Sequence, residues 1–425
     1  MSFDSFGLHA SLLAGVRDLG FSVPSPIQSE AIPAGLAGRD VLACASTGSG
    51  KTAAFVLPIL NRLIEQPAPG TRVLILTPTR ELAMQIDGHF GALARHTRLR
   101  SAPVYGGVGM EPQRRALQRG IDAIVATPGR LLDHMRQPYA RLKSVDMLVL
   151  DEADRMLDMG FLPDIKRILA SLPAARQTFL FSATMPSEME RLGREILRDP
   201  VMINIRKQGQ PAANVSQSVY TVAVTQKSHL LVALVRKESL RNALVFTRTK
   251  RRADRVAEYL VRYGVKAERI HGDRSQAQRT KALDGFKRGH FQVLVATDVA
   301  ARGLDVVNLS HVINFDMPGS VEDYIHRIGR TARAQAKGEA FTFVAPEDEQ
   351  DLRAIERRLA KKLPRAELPE LPTLPAGFPP APRRQAAPSR TPYSGNRGAR
   401  RRTHGSRRRS ESDVAYLTGA PYRGR

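Results

Sequence analysis

Short, largely apolar runs recur along this chain, and each stops at a small polar or glycine-bearing signature. Residues 40–44 run into A-S-T-G-S-G-K-T, 73–76 into T-P-T-R-E-L, 123–126 into T-P-G-R, 147–150 into D-E-A-D and 179–181 into S-A-T. Runs this short and this uniformly apolar read as strands buried on both faces, with the helical patterns between them as crossovers of a parallel, doubly wound sheet. In such sheets ligands sit at the carboxyl ends of the strands, so the signatures must gather on one face.

Two of these signatures carry chemistry together. Strand, glycine loop and helix start over Ala45 to Thr52 make a phosphate nest: backbone N–H groups face the anion, Lys51 reaches the β- and γ-phosphates, and Thr52 ligates Mg²⁺. Ala45 stands where the general pattern has its first glycine. Asp151 and Glu152 leave the end of another buried strand. An acid pair there can divide labour, Asp151 holding Mg²⁺ through water and Glu152 orienting or deprotonating the water that attacks a phosphoanhydride. Upstream, the prolines of P-S-P-I-Q hold a turn from which Gln28 offers the donor and acceptor that a purine edge wants. The remaining signatures put hydroxyls, backbone amides, Gly106-Gly107 and the guanidinium groups of Arg80 and Arg130 where a phosphodiester backbone could lie.

After residue 205 the pattern lapses through a polar, turn-prone stretch and then resumes, with strands expected at 219–224, 243–246, 269–270, 293–295, 311–315 and 340–344. This second series has no Lys-Thr phosphate loop. It carries instead Gln276 to Arg279, Thr297 to Asp305, and three arginines in seven residues, Arg327, Arg330 and Arg333, which suggest phosphate clamping. A guanidinium supplied from here to a phosphate site in the first half would make hydrolysis depend on closure of the two.

The formal charge of +24 points to a polyanionic partner. Residues 365–425 hold 13 Arg against 4 acids and almost no aliphatic periodicity, which reads as a disordered basic tail; +15 remains on the rest. A single cysteine, Cys44, excludes an internal disulfide framework and any multi-cysteine metal site. No apolar run is long enough for a membrane span, so the expectation is a cytoplasmic protein without a membrane partner.

Over residues 3 to about 345 the chain resembles the DEAD-box RNA helicases, nearest the bacterial RhlE-type branch, with about a dozen motifs in the family's order. The resemblance implies two tandem RecA-like α/β domains, 1–205 and 213–364, joined by a linker at 206–212 and followed by the tail. ATP with Mg²⁺ would lie between the domains and RNA across both. Phe3 would stack on adenine and Gln28 read its edge; Thr47, Gly48, Ser49, Gly50, Lys51 and Thr52 would cradle the phosphates, and Asp305 touch the sugar. Lys51, Glu152, Arg330 and Arg333 would be catalytic, and Thr52 and Asp151 the metal's protein partners. Ser182 and Thr184 would couple the halves. RNA contacts would fall on Arg80, Gly107, Thr127, Arg130, Gln276, Arg279 and Thr297. Two departures stand out: Ala332 replaces a usual glycine between the finger arginines, and Ser46 a usual glutamine of the phosphate loop.

The implied reaction is ATP hydrolysis coupled to local RNA unwinding or to remodelling of RNA–protein complexes, with ribosome-assembly or RNA-decay proteins as candidate partners. The alternatives are an ATP-gated RNA clamp with little unwinding and a translocating DNA helicase. A small-molecule P-loop kinase is disfavoured by the second half and by the basic excess.

Overall fold

The structure, a computed structural model, describes residues 2–45, 48–205, 215–237, 240–301, 309–331 and 338–371. The expected linker and almost all of the basic tail lie outside them. Seven strands, β1 (Val41–Cys44), β2 (Val73–Leu76), β3 (Ser101–Val104), β4 (Ala123–Ala126), β5 (Met147–Leu150), β6 (Gln177–Ser182) and β7 (Val201–Asn204), form an all-parallel sheet in the order β3-β4-β2-β5-β6-β1-β7. Six more, β8 (Val215–Thr221), β9 (Ala243–Thr247), β10 (Ala267–Ile270), β11 (Val293–Thr297), β12 (His311–Asn314) and β13 (Gly338–Val344), form a second, in the order β10-β11-β9-β12-β13-β8. Apart from β7, the two orders match position for position.

Why the runs are apolar throughout is visible in how neighbours split between two cores. Val41 and Ala43, Val73 and Ile75, Met147 and Val149 pack on one face of the first sheet, while Leu42, Leu74, Leu76, Leu148 and Leu150 pack on the other. Helices cover both faces, so a polar strand residue is costly unless it finds a partner.

Two boundaries differ from the sequence expectation. β8 begins at Val215 and ends at Thr221, earlier than the apolar run 219–224 suggests, because this edge strand is held by backbone pairing to β13 and tolerates Ser216, Gln217 and Ser218. The packed chain also runs past the composition break at Pro364. Ala366 donates its N–H to the Val219 carbonyl at 2.8 Å, and Ala366 and Leu371 pack against the second domain's core. Among the described residues no helix is long and apolar enough to cross a membrane.

Candidate active site

Strand order sorts the signatures into two groups. β5, β6 and β1 are neighbours, so the acids, the Ser182–Thr184 segment and the phosphate loop meet at their carboxyl ends. β3, β4 and β2 are neighbours in the other half of the sheet, where Arg80, Gly107, Thr127 and Arg130 meet.

In the first group, Gly48 and Gly50 take φ of +81° and +94°, left-handed turns that fold the loop onto the helix Lys51–Glu65. A Cβ at Gly50 would meet Gln28 Nε2 at 2.6 Å and Ser25 Oγ at 2.9 Å. These two side chains brace the loop: Ser25 Oγ donates to the Ser49 carbonyl at 2.7 Å and Gln28 Nε2 to the Gly50 carbonyl at 3.1 Å. Gln28 Oε1 accepts from Ser25 N–H at 2.8 Å. The expected purine reader is therefore committed to the protein at both ends, with one N–H and one lone pair to spare. Lys51 is buried and donates from Nζ to the Ala45 carbonyl at 3.1 Å; Thr52 follows it in the helix's first turn. Thr47 lies outside the described residues, as does Ser46.

The acid pair is split by its surroundings. Burial, opposed by Lys51, pushes the Asp151 carboxyl up to about 6. Burial would raise Glu152 too, but the charges of Arg155, Lys51 and Arg330 override it and hold that carboxyl at about 2. Glu152 sits at φ 49°, ψ 49°, a strained conformation for a residue with a side chain, and pairs with Arg155 at 2.6 Å. Asp154 was left without a role by the sequence; here its Oδ2 accepts from Ala183 N–H, Thr184 N–H and Thr184 Oγ1 at 3.1, 2.7 and 2.7 Å. Ser182 Oγ donates to the Thr184 carbonyl at 2.5 Å. The turn after β6 is thus tied to the acid turn after β5.

The second domain reaches this group through the helix Val321–Ile328 and the turn after it. Arg330 is buried, and its charge acts on Glu152. His326 is held at about 4 by burial and by Arg155 and Arg330, so it is neutral at neutral pH. Nothing in its spacing singled it out. Of the three clustered arginines, Arg327 is not a phosphate clamp: it is 2% exposed, grips Asp298 at 2.6 and 2.7 Å and donates to the Asp316 carbonyl at 2.7 Å. Arg333 and Asp305 lie outside the described residues, with Ala332. Phe3 is also not where the expectation put it. The ring is 3% exposed, edge-on to Phe6 and stacked on Phe21, which is itself 36% exposed.

In the other group the Arg80 guanidinium lies over Gly107, where any Cβ would clash with it; Gly107 is at φ +79°. Arg130 donates to the Val108 carbonyl at 3.0 Å and fixes the same loop from the other side. Thr127 stands at the N-cap position of the helix Pro128–Met135, with no capping hydrogen bond from its side chain. Gln276, Arg279 and Thr297 come from the second domain, the first two across the gap: Arg279 pairs with Glu81 at 2.7 Å and Gln276 Nε2 donates to it at 3.3 Å. Glu81, missed in the sequence, is the tie. Gln276 Oε1 and Arg279 Nε are buried with no hydrogen-bond partner, which suits a ligand with both acceptor and donor atoms, as a ribose-phosphate backbone has.

A braced phosphate loop, a split acid pair and a guanidinium delivered from a second domain define a two-domain nucleoside triphosphatase of the helicase class. A model described as DEAD/DEAH box helicase matches residues 25–192, and one described as helicase conserved C-terminal domain matches 226–335. The chain is 44% identical over 371 residues to the DEAD-box ATP-dependent RNA helicase CshA of Bacillus licheniformis, spanning 87% of this chain and 76% of that one. It is 43% identical over 373 residues to the DEAD-box ATP-dependent RNA helicase RhpA of Helicobacter pylori, spanning 88% and 75%. Among solved structures, S. cerevisiae Dbp5 bound to RNA and ADP BeF3 matches with a TM-score of 0.78 at 31% identity, over 86% of this chain and 95% of that one. A DEAD box protein from the hyperthermophile Methanococcus jannaschii matches with 0.52 at 39% identity, over 86% and 99%. The chain belongs to the DEAD-box family of ATP-dependent RNA helicases.

Proposed function

We propose that this enzyme hydrolyses ATP in the cleft between its two domains and uses the closed state to separate short RNA duplexes. The observation that carries this reading is the double tie across the domains, Arg330 acting on Glu152 at one end and Arg279 on Glu81 at the other. Likeness of arrangement supports it. The RNA-bound Dbp5 structure is less identical in sequence than the archaeal one yet far more alike in shape over the same 86% of this chain.

In this mechanism the loop amides and Lys51 receive the β- and γ-phosphates, giving up the Lys51 bond to the Ala45 carbonyl. Thr52 and, through water, Asp151 are the residues that would hold Mg²⁺ beside the bound phosphates. A buried carboxyl raised to about 6 beside a single lysine is a fit partner for that cation. Bound there, the cation would offset charge building on the phosphates. Glu152, ionised at neutral pH before the attack, orients the attacking water and takes its proton as the water adds to phosphorus. Arg330 stabilises the transferring phosphoryl group only while the domains are closed. At the other end Arg80, the Gly107 loop, Thr127 and Arg130 would hold one RNA strand by its backbone, with Gln276, Arg279 and Thr297 facing them. Contacts to backbone alone carry no base sequence, so the enzyme accepts RNA without sequence preference.

Release of a labelled strand from a short RNA duplex, followed with ATP and with a non-hydrolysable analogue, tests the reading. Strand release supports it; RNA-stimulated hydrolysis with no release at any enzyme concentration assigns the protein as an ATP-gated clamp instead.

A further inference from the structure

The helix Glu349–Leu359 covers β13 and β8, its Leu352 and Ile355 packing with Val219 and Val344. At Ala360 the chain enters the left-handed region and turns back, and the outer face of helix and return wall an open groove of about 890 Å³. Arg353, Arg357, Lys361, Lys362 and Arg365 line it. Arg353 faces Glu349 at 3.5 Å, and Arg365 pairs with Glu356 at 2.8 Å. Glu356 also accepts the Leu363 N–H at 2.8 Å, so it is spent on shaping the turn. Arg357, Lys361 and Lys362 are exposed, and among the described residues no carboxylate lies within ion-pair distance of them.

Cations crowded into one concavity raise the local potential and attract a polyanion. The rest of the chain cannot supply the counter-charge, since residues 372–425 hold 12 Arg and 2 acids. We propose that this groove is a second RNA-backbone site, which holds the part of a long RNA that extends beyond the contacts at Gln276 and Arg279. The inference rests on the RNA reading above. Position is what makes the site separate: Gln276 and Arg279 follow β10 at one edge of the sheet, and the groove's helix covers the other edge, five strand spacings away. At about 4.8 Å each that is roughly 24 Å. An RNA must extend about seven nucleotides, at about 3.4 Å each, to reach from one to the other.

The test compares the full-length protein with its Arg357→Ala, Lys361→Ala, Lys362→Ala variant on a short single-stranded oligomer and on the same oligomer extended by about ten nucleotides. All three positions are exposed, so the fold should survive, and circular dichroism checks it. ATPase stimulation by the short oligomer should be unchanged. On the extended RNA the variant should bind more weakly, and the slope of log affinity against log salt should fall by about 2, since each lost phosphate contact on a single strand removes about 0.7. The charge-conserving variant Arg357→Lys, Lys361→Arg, Lys362→Arg should keep the wild-type slope. The tail is present in every arm and cancels. Equal affinity and slope for wild type and the alanine variant on the extended RNA would overturn the groove as an RNA site and leave an acidic protein surface as its occupant. Stimulation by the short oligomer, read in the same experiment, reports on the helicase reading alone.

Discussion

Lys51 and Lys227 occupy the same place in two copies of one topology, and they are used in opposite ways. Each follows the strand that sits next to the β6 or β13 strand of its sheet, each starts a helix, and each is buried, Lys51 at 6% exposed and Lys227 at 2%. Among the described residues Lys51 donates to one loop carbonyl, that of Ala45, whereas Lys227 donates to the Phe343 carbonyl and to Asp348, both at 3.0 Å. The acids at the ends of the matching strands β5 and β12 differ likewise. Asp151 is raised to about 6 beside Lys51, while Asp316 accepts from Arg248 N–H at 2.9 Å and Arg252 Nη1 at 2.5 Å. The second domain has answered this lysine and this acid from within. The first has left lysine and acid to be answered by a ligand, and under the proposed function that difference would make one copy the ATP site and the other a support that lends it Arg330.

The largest effect should come from removing that loan. Arg330→Ala should lower RNA-stimulated turnover by about 10³-fold or more, the usual worth of such a guanidinium, with ATP affinity changed far less. Measured kcat and nucleotide affinity separate the two. If a fragment ending at residue 205 hydrolyses ATP as fast as the whole chain, the second domain contributes no chemistry and the comparison collapses.

Lys51→Ala should cost about 10²- to 10³-fold in turnover while circular dichroism stays unchanged, because a charge facing the phosphates is lost and nothing apolar is unpacked. Lys227→Ala should do the reverse. It strands the Asp348 carboxylate, whose side chain is 13% exposed, and breaking a buried pair of this kind costs about 3–5 kcal/mol in stability. Denaturant melts would show the loss, and turnover per folded molecule would stay near wild type. Adding Asp348→Ala should recover part of the stability. A Lys227→Ala variant that folds normally but cannot turn over ATP would mean that the second lysine has kept a catalytic part.

The repeat of strand and crossover was legible because burial on both faces makes central strands such as β2, β4 and β5 apolar from end to end. The phosphate loop and acid pair were legible because their residue types are demanded by the chemistry at fixed spacing. What escaped was relational. Asp154, Glu81 and His326 earn their roles from partners distant in sequence, such as Thr184, 30 residues on, for the first, Gln276, 195 residues on, for the second, and Arg155 for the third. Arg327 looked like its neighbour Arg330 until Asp298 was seen to hold it. Lys227 gave no signal at all, since no glycine marks a loop that never opens to a phosphate.

The acid limb of the pH profile should belong to the first domain. Asp151 has its carboxyl raised by burial from the ordinary carboxylate range to about 6, so it is ionised at neutral pH and takes up a proton as pH falls through that value. Turnover at limiting Mg²⁺ should then drop by up to about tenfold per pH unit below the midpoint, and more Mg²⁺ should move the midpoint lower, because metal and proton compete for one carboxylate. The sign for stability is opposite: a carboxyl raised on folding costs stability above its folded value and regains it as pH falls. His326 stays neutral down to about 4 and adds nothing in this window. A midpoint that ignores Mg²⁺ concentration would remove Asp151 from the metal site.

The smallest expected effect separates a brace from a reader. An unlocked loop needs an external support, which Ser25 and Gln28 give to the first domain, while the Lys227–Asp348 pair makes one needless in the second. Gln28→Ala removes the bonds to the Gly50 carbonyl and the Ser25 N–H, and a neutral hydrogen bond is worth about 1 kcal/mol net, so nucleotide affinity should weaken about 5- to 30-fold. If Gln28 serves mainly to hold the loop, the loss should be the same for ATP, GTP, CTP and UTP, because all four present the same phosphates. If it reads the base, only adenine nucleotides should suffer, since the variant would lose a donor and acceptor pair that the others never engaged. Affinities of wild type and variant for the four triphosphates, measured side by side, decide between them, and the shared loss is what the two committed ends of the Gln28 amide lead us to expect.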